Sequence, residues 1–468
     1  MGFKSGDNGV KAQLKLRYPH AFKSFRSLSE ARRSIPHKGP DGSPVETMRS
    51  QTSVALDGNV LMMQIPQGCG TFAEYVTLVS SAIRQAMGAA ALVVVVFDEP
   101  ECLTEAKREE QARRDAGRKK REPLCSEDLE PHPTTDDYSL AQLEALNDCH
   151  PVVGCRAARL RFFDAVGVAV VRNLQRTIGA WDKSGFQSVL LFDGLDSRGA
   201  DRPLGEERLR GVWGTDDEVA ALFAHRPVGE GDMKLAVVEN RLRVLAVDAF
   251  ESLKLHITCT IDTDSFAIEL LECARRNEAA PELNEVTGVF AMRERAPANA
   301  WDDEKHATYL VCDYRSVYDA LQAELWGRSR EPSLHQQRCA MALVVAGWAL
   351  AGCDYAEVKG LRADFVFEAV GPIVRNYPEM AQAMSAAWSG DRVATLDMVY
   401  TLRRIVLMCA AAYGERKGAR KAAIADMQNV DEAPLQRAAW TIAYWCGVEH
   451  KENLEDFSFV SPNRVYWG

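Results

Sequence analysis

The pattern of apolar and polar positions along this chain predicts short buried strands separated by helices. The clearest strand is ALVVVVFDEP (91–100), whose five consecutive apolar residues suit a strand covered on both faces of a parallel sheet. SVLLFD (188–193) and LHITCTIDTD (255–264) have the same character, and SVALDGNVLMM (53–63) begins as a β-branched strand that ends at Asp57. These segments predict a sheet built mainly from buried strands.

Between these strands, apolar residues recur with the spacing of an α-helix. A helix is predicted near 71–88, a loop feeding a helix at 227–245, and an Ala-, Val- and Leu-rich helix at 338–352. The last hundred residues are helical in pattern throughout. Strands that alternate with helices predict an α/β fold with a mainly parallel central sheet flanked by helices.

The polar stretches suggest how the chain is divided. A core is predicted over 1–375, with a partly flexible basic helical arch or cap inserted at 104–225, and a helical C-terminal region over 376–468. The insertion begins with the nearly apolar-free helix 104–121, and continues into the Pro-, Asp- and Ser-containing loop 122–150.

Charge is unevenly distributed along the chain. The 468 residues carry a net charge of −10, which taken as an average argues against a nucleic-acid partner. However, residues 1–50 contain ten Lys or Arg and four Asp or Glu, and 104–121 contain eight against four. These two basic segments leave nucleic acid open as a partner.

Composition also limits the cellular setting. No run of about 18 apolar residues is present to span a bilayer, so no membrane partner is expected. The twelve cysteines are scattered without CxxC pairs, and the first residues lack the apolar segment of a signal peptide. We therefore expect an intracellular, reducing compartment, with nucleus and cytoplasm equally open.

Acidic residues follow several of the predicted strands. Because the carboxyl ends of parallel strands meet at one edge of a sheet, Asp57, Asp98 and the pair Asp262/Asp264 are expected to lie close together. Clustered carboxylates repel one another unless a cation neutralises them, and Mg²⁺ or Mn²⁺ prefers such oxygen ligands. Two such ions would serve phosphoryl chemistry. The alternative is that these acids are ordinary helix caps and loop residues.

Several motifs, in order, resemble those of the flap endonuclease and 5′→3′ exoribonuclease superfamily, whose nuclease core is PIN-like. The chain begins MGF and continues LKLRYPHAF, and then carries LDGNVLMM, VVVFDEPE, PVGEGDMKL, IDTDSF and AGCDYAEVKGL. A Lys/Arg-rich helix follows the second acidic motif, as in the family. The resemblance covers roughly residues 1–370, and it implies seven acidic site residues: Asp57, Asp98, Glu230, Asp232, Asp262, Asp264 and Asp354.

The resemblance also implies a role for each residue. Asp57, Asp98, Glu230 and Asp232 would hold the more catalytic of two Mg²⁺ or Mn²⁺ ions, and Asp262, Asp264 and Asp354 would serve mainly the second. Phosphates on the 5′ side would be contacted by the basic helix, and the N-terminus would lie near the site. The nucleic-acid contacts implied are Gly2, Lys107, Arg113, Arg114 and Gly360.

Some features depart from the family pattern. Asp98 and Glu230 are 132 positions apart, a longer separation than in a minimal flap endonuclease, and KGLRAD keeps only Gly360 of the usual Gly-x-Gly. Asp193 competes with Asp98 for the second acidic position. The basic helix predicted at 104–121 either binds phosphates or is an exposed helix whose charged side chains pair with one another. No PCNA-binding motif is present, and a monomer is expected.

Three functions remain at this point. A DNA flap or 5′→3′ nuclease of replication or repair is favoured by GCDY and by the modest chain length. A 5′→3′ exoribonuclease is favoured by RYP and GEGD. A nuclease-like protein that binds nucleic acid or a partner without cutting is disfavoured, because a scaffold has no need of a repulsive carboxylate cluster.

Overall fold

The structure is a computed structural model. The described residues are 9–38, 41–63, 72–97, 166, 170, 173–174, 189–192, 230–248, 253–294, 308–327, 331–353, 355–388, 394–416 and 419–446. Element labels below number the described strands and helices in chain order.

The strands form one seven-stranded sheet and a separate two-stranded ribbon. Their bounds are β1 Phe22–Phe25, β2 His37–Lys38, β3 Pro44–Val45, β4 Thr52–Asp57, β5 Leu92–Val96, β6 Val189–Phe192, β7 Leu255–Cys259, β8 Thr287–Glu294 and β9 Thr308–Asp313. The large sheet has the order β1-β9-β8-β7-β4-β5-β6, and β2 pairs with β3 in the ribbon. Strands β8, β7, β4, β5 and β6 are parallel, while β9 and β1 are antiparallel at one edge. The predicted α/β fold with a mostly parallel sheet is confirmed.

Helices cover the sheet and continue beyond it. The described helices are α1 Val10–Arg17, α2 Leu28–Ser34, α3 Gly58–Met63, α4 Phe72–Ala89, α5 Gly231–Asp248, α6 Thr263–Ala279, α7 Tyr314–Trp326, α8 Leu334–Gly352, α9 Ala363–Asn376, α10 Pro378–Gln382, α11 Ala394–Gly414, α12 Lys421–Gln428 and α13 Glu432–Cys446. Short 3-10 helices lie at Pro19–Ala21, Arg49–Gln51, Pro281–Glu285 and Ala383–Trp388. The helices predicted near 71–88 and 338–352 correspond to α4 and α8.

The valine run of β5 explains why helices lie on both faces of the sheet. Side chains alternate along a strand, so Val93 and Val95 pack with α4 on one face. Val94 and Val96 pack with α5 on the other face. Because both faces are apolar, two helical layers are needed to bury them.

The antiparallel edge was not predicted from the sequence. Strand β8 carries its side chains alternately into two clusters, with Phe290 facing the α6 side and Val289 facing the α4 side. Residues 295–307, which join β8 to β9, lie outside the described residues, and no short turn signal links the two strands. Without a recognisable hairpin turn, the alternation alone was too short to reveal them.

Strand β6 lies inside the range 104–225 that was predicted as a helical insertion. It pairs in parallel with β5, from Leu92↔Val189 to Val95↔Phe192. This part of the range therefore belongs to the central sheet, as expected for the strand predicted at 188–193. The other described positions in this range, 166, 170 and 173–174, are helical.

The C-terminal helices share a hydrophobic core with the helices that precede them. Residues of α8 and α9, such as Trp348 and Val370, belong to the same buried cluster as Leu402 of α11 and Trp445 of α13. The predicted boundary at 375 falls within α9. The division into a nuclease core and a separate C-terminal region stays a prediction.

The described helices include none that is both long and apolar enough to cross a membrane. The cysteines in the described ranges are free thiols: Cys259, Cys273, Cys312, Cys339, Cys353, Cys409 and Cys446.

Candidate functional site

Strand β4 lies at the point where the strand order reverses. The chain passes from β4 to β5 on one side, while β7 pairs with β4 on the other side. In open α/β sheets, a crevice opens beyond the carboxyl ends of the strands at such a switch point, and ligands bind there. Asp57 is the last residue of β4, and Asp262 follows β7 by three residues.

A chain of hydrogen bonds joins the acids of these two strands. Thr260 Oγ1 donates to Asp57 Oδ2 at 3.0 Å, and the backbone N–H of Asp262 donates to Thr260 Oγ1 at 3.0 Å. The backbone N–H of Asp264 then donates to Asp262 Oδ1 at 3.2 Å. Asp57, Asp262 and Asp264 are buried, so three carboxylates are held within one connected, water-poor edge of the sheet.

Two of these acids also cap helices. Asp57 Oδ1 accepts a hydrogen bond from Val60 N at 3.0 Å at the start of α3, and Asp262 is the N-cap of α6. Helix N-termini carry partial positive charge and offer unpaired N–H groups, which stabilise nearby carboxylates. Asp57 and Asp262 therefore act as helix caps, each through its Oδ1 atom.

The other two described acids lie at the start of α5 and are tied to different elements. Glu230 is buried and accepts a short hydrogen bond from the hydroxyl of Tyr355, a residue just beyond α8. Asp232, in the first turn of α5, accepts a short hydrogen bond from Ser265 Oγ in α6. Since Ser265 follows Asp264, the N-termini of α5 and α6 are joined directly.

Electrostatics independently relate Tyr355 to the acids. Burial, followed by the negative charges of Glu230 and Asp264, raises the pKa of Tyr355 well above its ordinary value. The phenol is therefore a protonated donor to Glu230 at any ordinary pH. Hydrogen bonds, and the charge of Asp264 near Tyr355, thus connect the five described acids, which lie on β4 and at the N-termini of α5 and α6.

Apart from Gly360, the remaining predicted site residues lie outside the described part of the chain. Outside the described residues lie two of the seven acids, four of the predicted nucleic-acid contacts and the competing acid: Asp98, Asp354, Gly2, Lys107, Arg113, Arg114 and Asp193. Strands β5 and β6 end just before Asp98 and Asp193, and Val96 of β5 pairs with Asp57. The choice between Asp98 and Asp193 therefore stays open.

Gly360 lies in the turn between α8 and α9, with a φ of 87° that favours glycine. An added Cβ would come within 2.9 Å of the carbonyl oxygen of Ala423 in α12. The close approach of the α12 backbone explains the glycine on structural grounds. Its predicted contact with nucleic acid stays a prediction.

The described acids supply the right donor chemistry for Mg²⁺ or Mn²⁺ but not a complete ligand set. All are carboxylates, and hard divalent cations prefer oxygen. However, within the described ranges no three His, Cys, Asp or Glu side chains are grouped so as to hold a metal ion. A shared ion would require ligands beyond these five, and Asp98 and Asp354 are the residues that the sequence offers.

Sequence reasoning missed two residues that organise this edge. Thr260 lies between β7 and Asp262, and its hydroxyl bridges the two strands. Tyr355 follows Asp354 in GCDY and orients Glu230. Tyr355 was visible as part of a motif, whereas nothing in the sequence marks Thr260, because its partner Asp57 is about 200 residues away.

Below the acids, a buried ionic network fixes α5 against the sheet. Arg243 Nε donates to Glu239 Oε1 at 2.8 Å, and Arg243 Nη1 donates to the carbonyl oxygen of Leu283 at 2.7 Å. The hydroxyl of Tyr314 makes short hydrogen bonds with both Glu239 and Arg243. A helix held at so many points places Glu230 and Asp232 in a defined register.

Histidine and acidic groups in this network have shifted pKa values. Burial lowers the pKa of His256 to about 4, although Glu239 opposes the shift. Burial acts to raise the pKa of Glu239, but Arg243, His256 and Arg276 together bring it below its ordinary value. Burial and then the charge of Glu239 raise the pKa of Glu269 well above its ordinary value. His256 is therefore neutral at pH 7.

Comparison with known proteins gives no family assignment. Neither a protein-family model nor a curated protein matches this sequence.

Proposed function

We propose that this protein is a divalent-metal-dependent 5′ nuclease that hydrolyses phosphodiester bonds of DNA, acting as a flap or 5′→3′ nuclease. The observation that carries the proposal is the hydrogen-bonded series Asp57–Thr260–Asp262–Asp264 at the β4/β7 switch point. Its position is the one where open α/β sheets bind ligands. The ordered resemblance to the flap endonuclease and exoribonuclease superfamily, with its PIN-like core, supports the same reading.

Two Mg²⁺ or Mn²⁺ ions would be held by the seven carboxylates that the sequence offers: Asp57, Asp98, Glu230, Asp232, Asp262, Asp264 and Asp354. When bound, such ions polarise the phosphodiester and offset the negative charge that develops during its hydrolysis. The protein's contribution is to hold the carboxylates in place.

Three hydroxyl groups would do the positioning. Thr260 fixes Asp57, Tyr355 fixes Glu230, and Ser265 fixes Asp232, each by donating to one carboxylate oxygen. Each donor comes from a different element than the acid it orients. Because a carboxylate has about four lone-pair sites, a single hydroxyl still leaves capacity for a metal ion.

The second candidate is a nuclease-like protein that binds nucleic acid without cutting it. It is favoured by the helix-capping contacts of Asp57 and Asp262, and by the lack of a three-residue metal group among the described residues. Under this reading the acids stabilise helix N-termini, and no ion is required.

A cleavage assay separates these candidates. The purified protein is incubated with Mg²⁺ or Mn²⁺ and with four labelled substrates: a 5′-flap DNA, a blunt duplex, single-stranded DNA and a 5′-monophosphate RNA. The double variant Asp262→Ala/Asp264→Ala is compared with Asp319→Asn, which changes an exposed acid of α7. EDTA provides the metal-free control.

We expect the wild type and Asp319→Asn to cut flap or duplex DNA, and the double variant and the EDTA sample to cut nothing. Degradation of 5′-phosphate RNA alone would instead assign the exoribonuclease activity. Binding without cleavage of any substrate would reject the nuclease and favour the second candidate.

A further inference from the structure

A small cavity opens beside the acids, on the face of the sheet that α4 covers. Its volume is about 40 Å³, and its apolar wall includes Leu28, Leu56 and Ala291. Asp57 and Thr260, which belong to the hydrogen-bonded acid series, line it as well. The cavity is therefore continuous with the candidate site.

Two polar residues from the antiparallel edge also line this cavity. Arg293 of β8 and Tyr309 of β9 are directly paired across the two strands. Burial raises the pKa of Tyr309 to about 12, while the charge of Arg293 acts to lower it, so the two side chains lie within electrostatic reach. Burial also raises the pKa of Cys259, another lining residue, to about 12. The lining therefore includes one cation, the Arg293 guanidinium, and two neutral hydrogen-bond donors, the Tyr309 hydroxyl and the Cys259 thiol.

The guanidinium of Arg293 has no partner among the described residues. No hydrogen bond or salt bridge joins it to any of them, although Asp57 lines the same cavity and arginines of this chain pair with acids elsewhere, as Arg243 does with Glu239. A half-buried arginine normally satisfies its donors with a carboxylate, a carbonyl or a bound anion. Within the described part of the chain, the Arg293 donors are therefore available to bind an anionic ligand.

The size of the cavity limits the ligand. A water molecule requires roughly 10–15 Å³ of such space, so about 40 Å³ accommodates a few oxygen atoms. A nucleobase ring does not fit, and no aromatic stacking platform is present among the lining residues other than Tyr309. The chemistry favours a compact oxyanion, for which the planar guanidinium is the preferred side chain.

We propose that Arg293 and Tyr309 bind a phosphate of the nucleic-acid substrate, next to the phosphodiester that Asp57 serves. The inference rests on the proposed function for the identity of the substrate. Arg293 donates to the phosphate oxygens, and the Tyr309 hydroxyl adds a neutral hydrogen bond. Because Asp57 repels an anion in the same cavity, the phosphate is bound more tightly when a divalent cation is present.

Binding measurements test this site without requiring cleavage. Fluorescence anisotropy is recorded for a labelled single-stranded DNA carrying either a 5′-phosphate or a 5′-hydroxyl, in Ca²⁺ and again in EDTA, over a series of salt concentrations. The variants are Arg293→Gln, Arg293→Lys and Tyr309→Phe. The matched control is Arg315→Gln at the start of α7, which follows the end of β9 opposite to Tyr309.

We expect Arg293→Gln to weaken binding about tenfold and to reduce the salt dependence by about one phosphate contact. Arg293→Lys should retain the salt dependence with weaker binding, because it keeps the charge but loses the planar fork. Tyr309→Phe should weaken binding by a smaller factor. A loss of affinity for the 5′-phosphorylated strand alone identifies the terminal phosphate as the bound group. An equal loss of affinity for both strands identifies a backbone phosphodiester instead.

The proposal is overturned if Arg293→Gln and Tyr309→Phe bind both strands with the affinity and salt dependence of Arg315→Gln, in Ca²⁺ and in EDTA. Thermal unfolding of each variant checks that the fold is retained. If Arg293→Gln does not fold, Tyr309→Phe still tests the site, because it removes only the hydroxyl group and keeps the packed aromatic ring. Failure of the nuclease proposal is seen separately, as absence of metal-dependent cleavage by the wild type.

Discussion

Single hydroxyl groups have a large effect at the carboxyl edge of this sheet. Thr260 satisfies a carboxylate oxygen of Asp57 and the backbone N–H of Asp262 at once, although both residues are buried. A buried polar group that loses its hydrogen bond costs more free energy than the bond contributes when formed. The site therefore depends on residues that carry no charge.

Replacing Thr260 tests this dependence. Thr260→Val keeps the shape but removes the bridge between Asp57 and Asp262, so we expect it to lower the free energy of unfolding by about 1–3 kcal/mol. We also expect it to reduce metal-dependent cleavage, since Asp57 loses its orientation. Urea denaturation and the cleavage assay measure the two effects.

Two further variants complete the comparison. Thr260→Ser retains the hydroxyl and should restore most of the activity. Thr77→Val removes an exposed hydroxyl that bonds its own helix, and should change stability by less than about 0.5 kcal/mol. Equal stability and activity for Thr260→Val and Thr77→Val would contradict the bridging role.

The register of α5 and α6 depends on the buried network beneath the acids. Glu239 and Arg243 lie on α5, Glu269 and Arg276 lie on α6, and all four are buried. Tyr314 from α7 completes the network, and Gly288 of β8 leaves room for it. Because both helices carry site acids at their N-termini, the network links packing deep in the protein to the geometry of the edge.

Gly288 should tolerate no larger side chain. A Cβ added there would lie 1.7 Å from the hydroxyl oxygen of Tyr314 and 2.4 Å from Arg243 Nη2. We therefore expect Gly288→Ala to destabilise the protein by about 1–3 kcal/mol or more, measured by urea denaturation. Gly88→Ala in α4 meets nothing closer than Ser29 Oγ at 3.9 Å and should be neutral or stabilise by up to about 1 kcal/mol. Similar stabilities for the two variants would argue against the crowding at Gly288.

The same network predicts two opposing pH effects. His256 has a folded-state pKa of about 4, below its ordinary 6.5, so its contribution is present above pH 6.5 and is lost as the pH falls toward 4. Glu269 has a folded-state pKa above its ordinary 4.5, so its contribution is present below pH 4.5 and is lost as the pH rises. Between pH 4.5 and 6.5 the two groups therefore change the unfolding free energy in opposite directions.

Two variants separate these contributions. Glu269→Gln leaves His256, so its unfolding free energy should rise with pH between about 4 and 6.5 relative to wild type. His256→Asn leaves Glu269, so its unfolding free energy should fall as the pH rises above about 4.5. Each slope should approach about 1.4 kcal/mol per pH unit. Urea titrations at several pH values measure them, and parallel curves for wild type and both variants would contradict the assignment.

At the scale of the whole molecule, the fold collects distant residues at one edge. The described acids come from residue 57 and from two segments near 230 and 263, and the β4/β7 switch point is where these segments meet. Burying five carboxylates together raises the free energy of the folded state unless helix N-termini, hydroxyl donors or cations compensate. Helix N-termini and hydroxyl donors are seen in the structure. Bound cations are the further compensation that the proposed function would require.

Metal binding should therefore stabilise the folded protein. We expect Mg²⁺ or Mn²⁺ to raise the melting temperature of the wild type, since an ion at about 100 times its Kd adds about 2.7 kcal/mol to the unfolding free energy. The Asp262→Ala/Asp264→Ala variant should show no such rise, whereas Asp319→Asn should respond like wild type. Differential scanning fluorimetry with and without EDTA gives the readout. A wild type that does not respond to either ion would weigh against a shared metal site.

The sequence by itself determined the parallel core and the identity of the acids. The valine run of β5 and the acids after β4 and β7 are local patterns, because a buried strand and its terminal residue are adjacent in the chain. Such patterns predicted β4 to β7 and the helices α4 and α5, whereas α6, which carries Asp264, was not predicted. They also placed Asp57, Asp262 and Asp264 among the candidates, and the motif resemblance added Glu230 and Asp232.

Only the tertiary structure decided which groups meet. The Thr260–Asp57, Tyr355–Glu230 and Ser265–Asp232 contacts each join segments far apart in the chain. The antiparallel strands β8 and β9, which bring Arg293 and Tyr309 to the cavity, also escaped prediction. Hydrogen bonds and cavities depend on distances in space, and a single sequence records only the order of residues, so these features became visible only once the chain was folded.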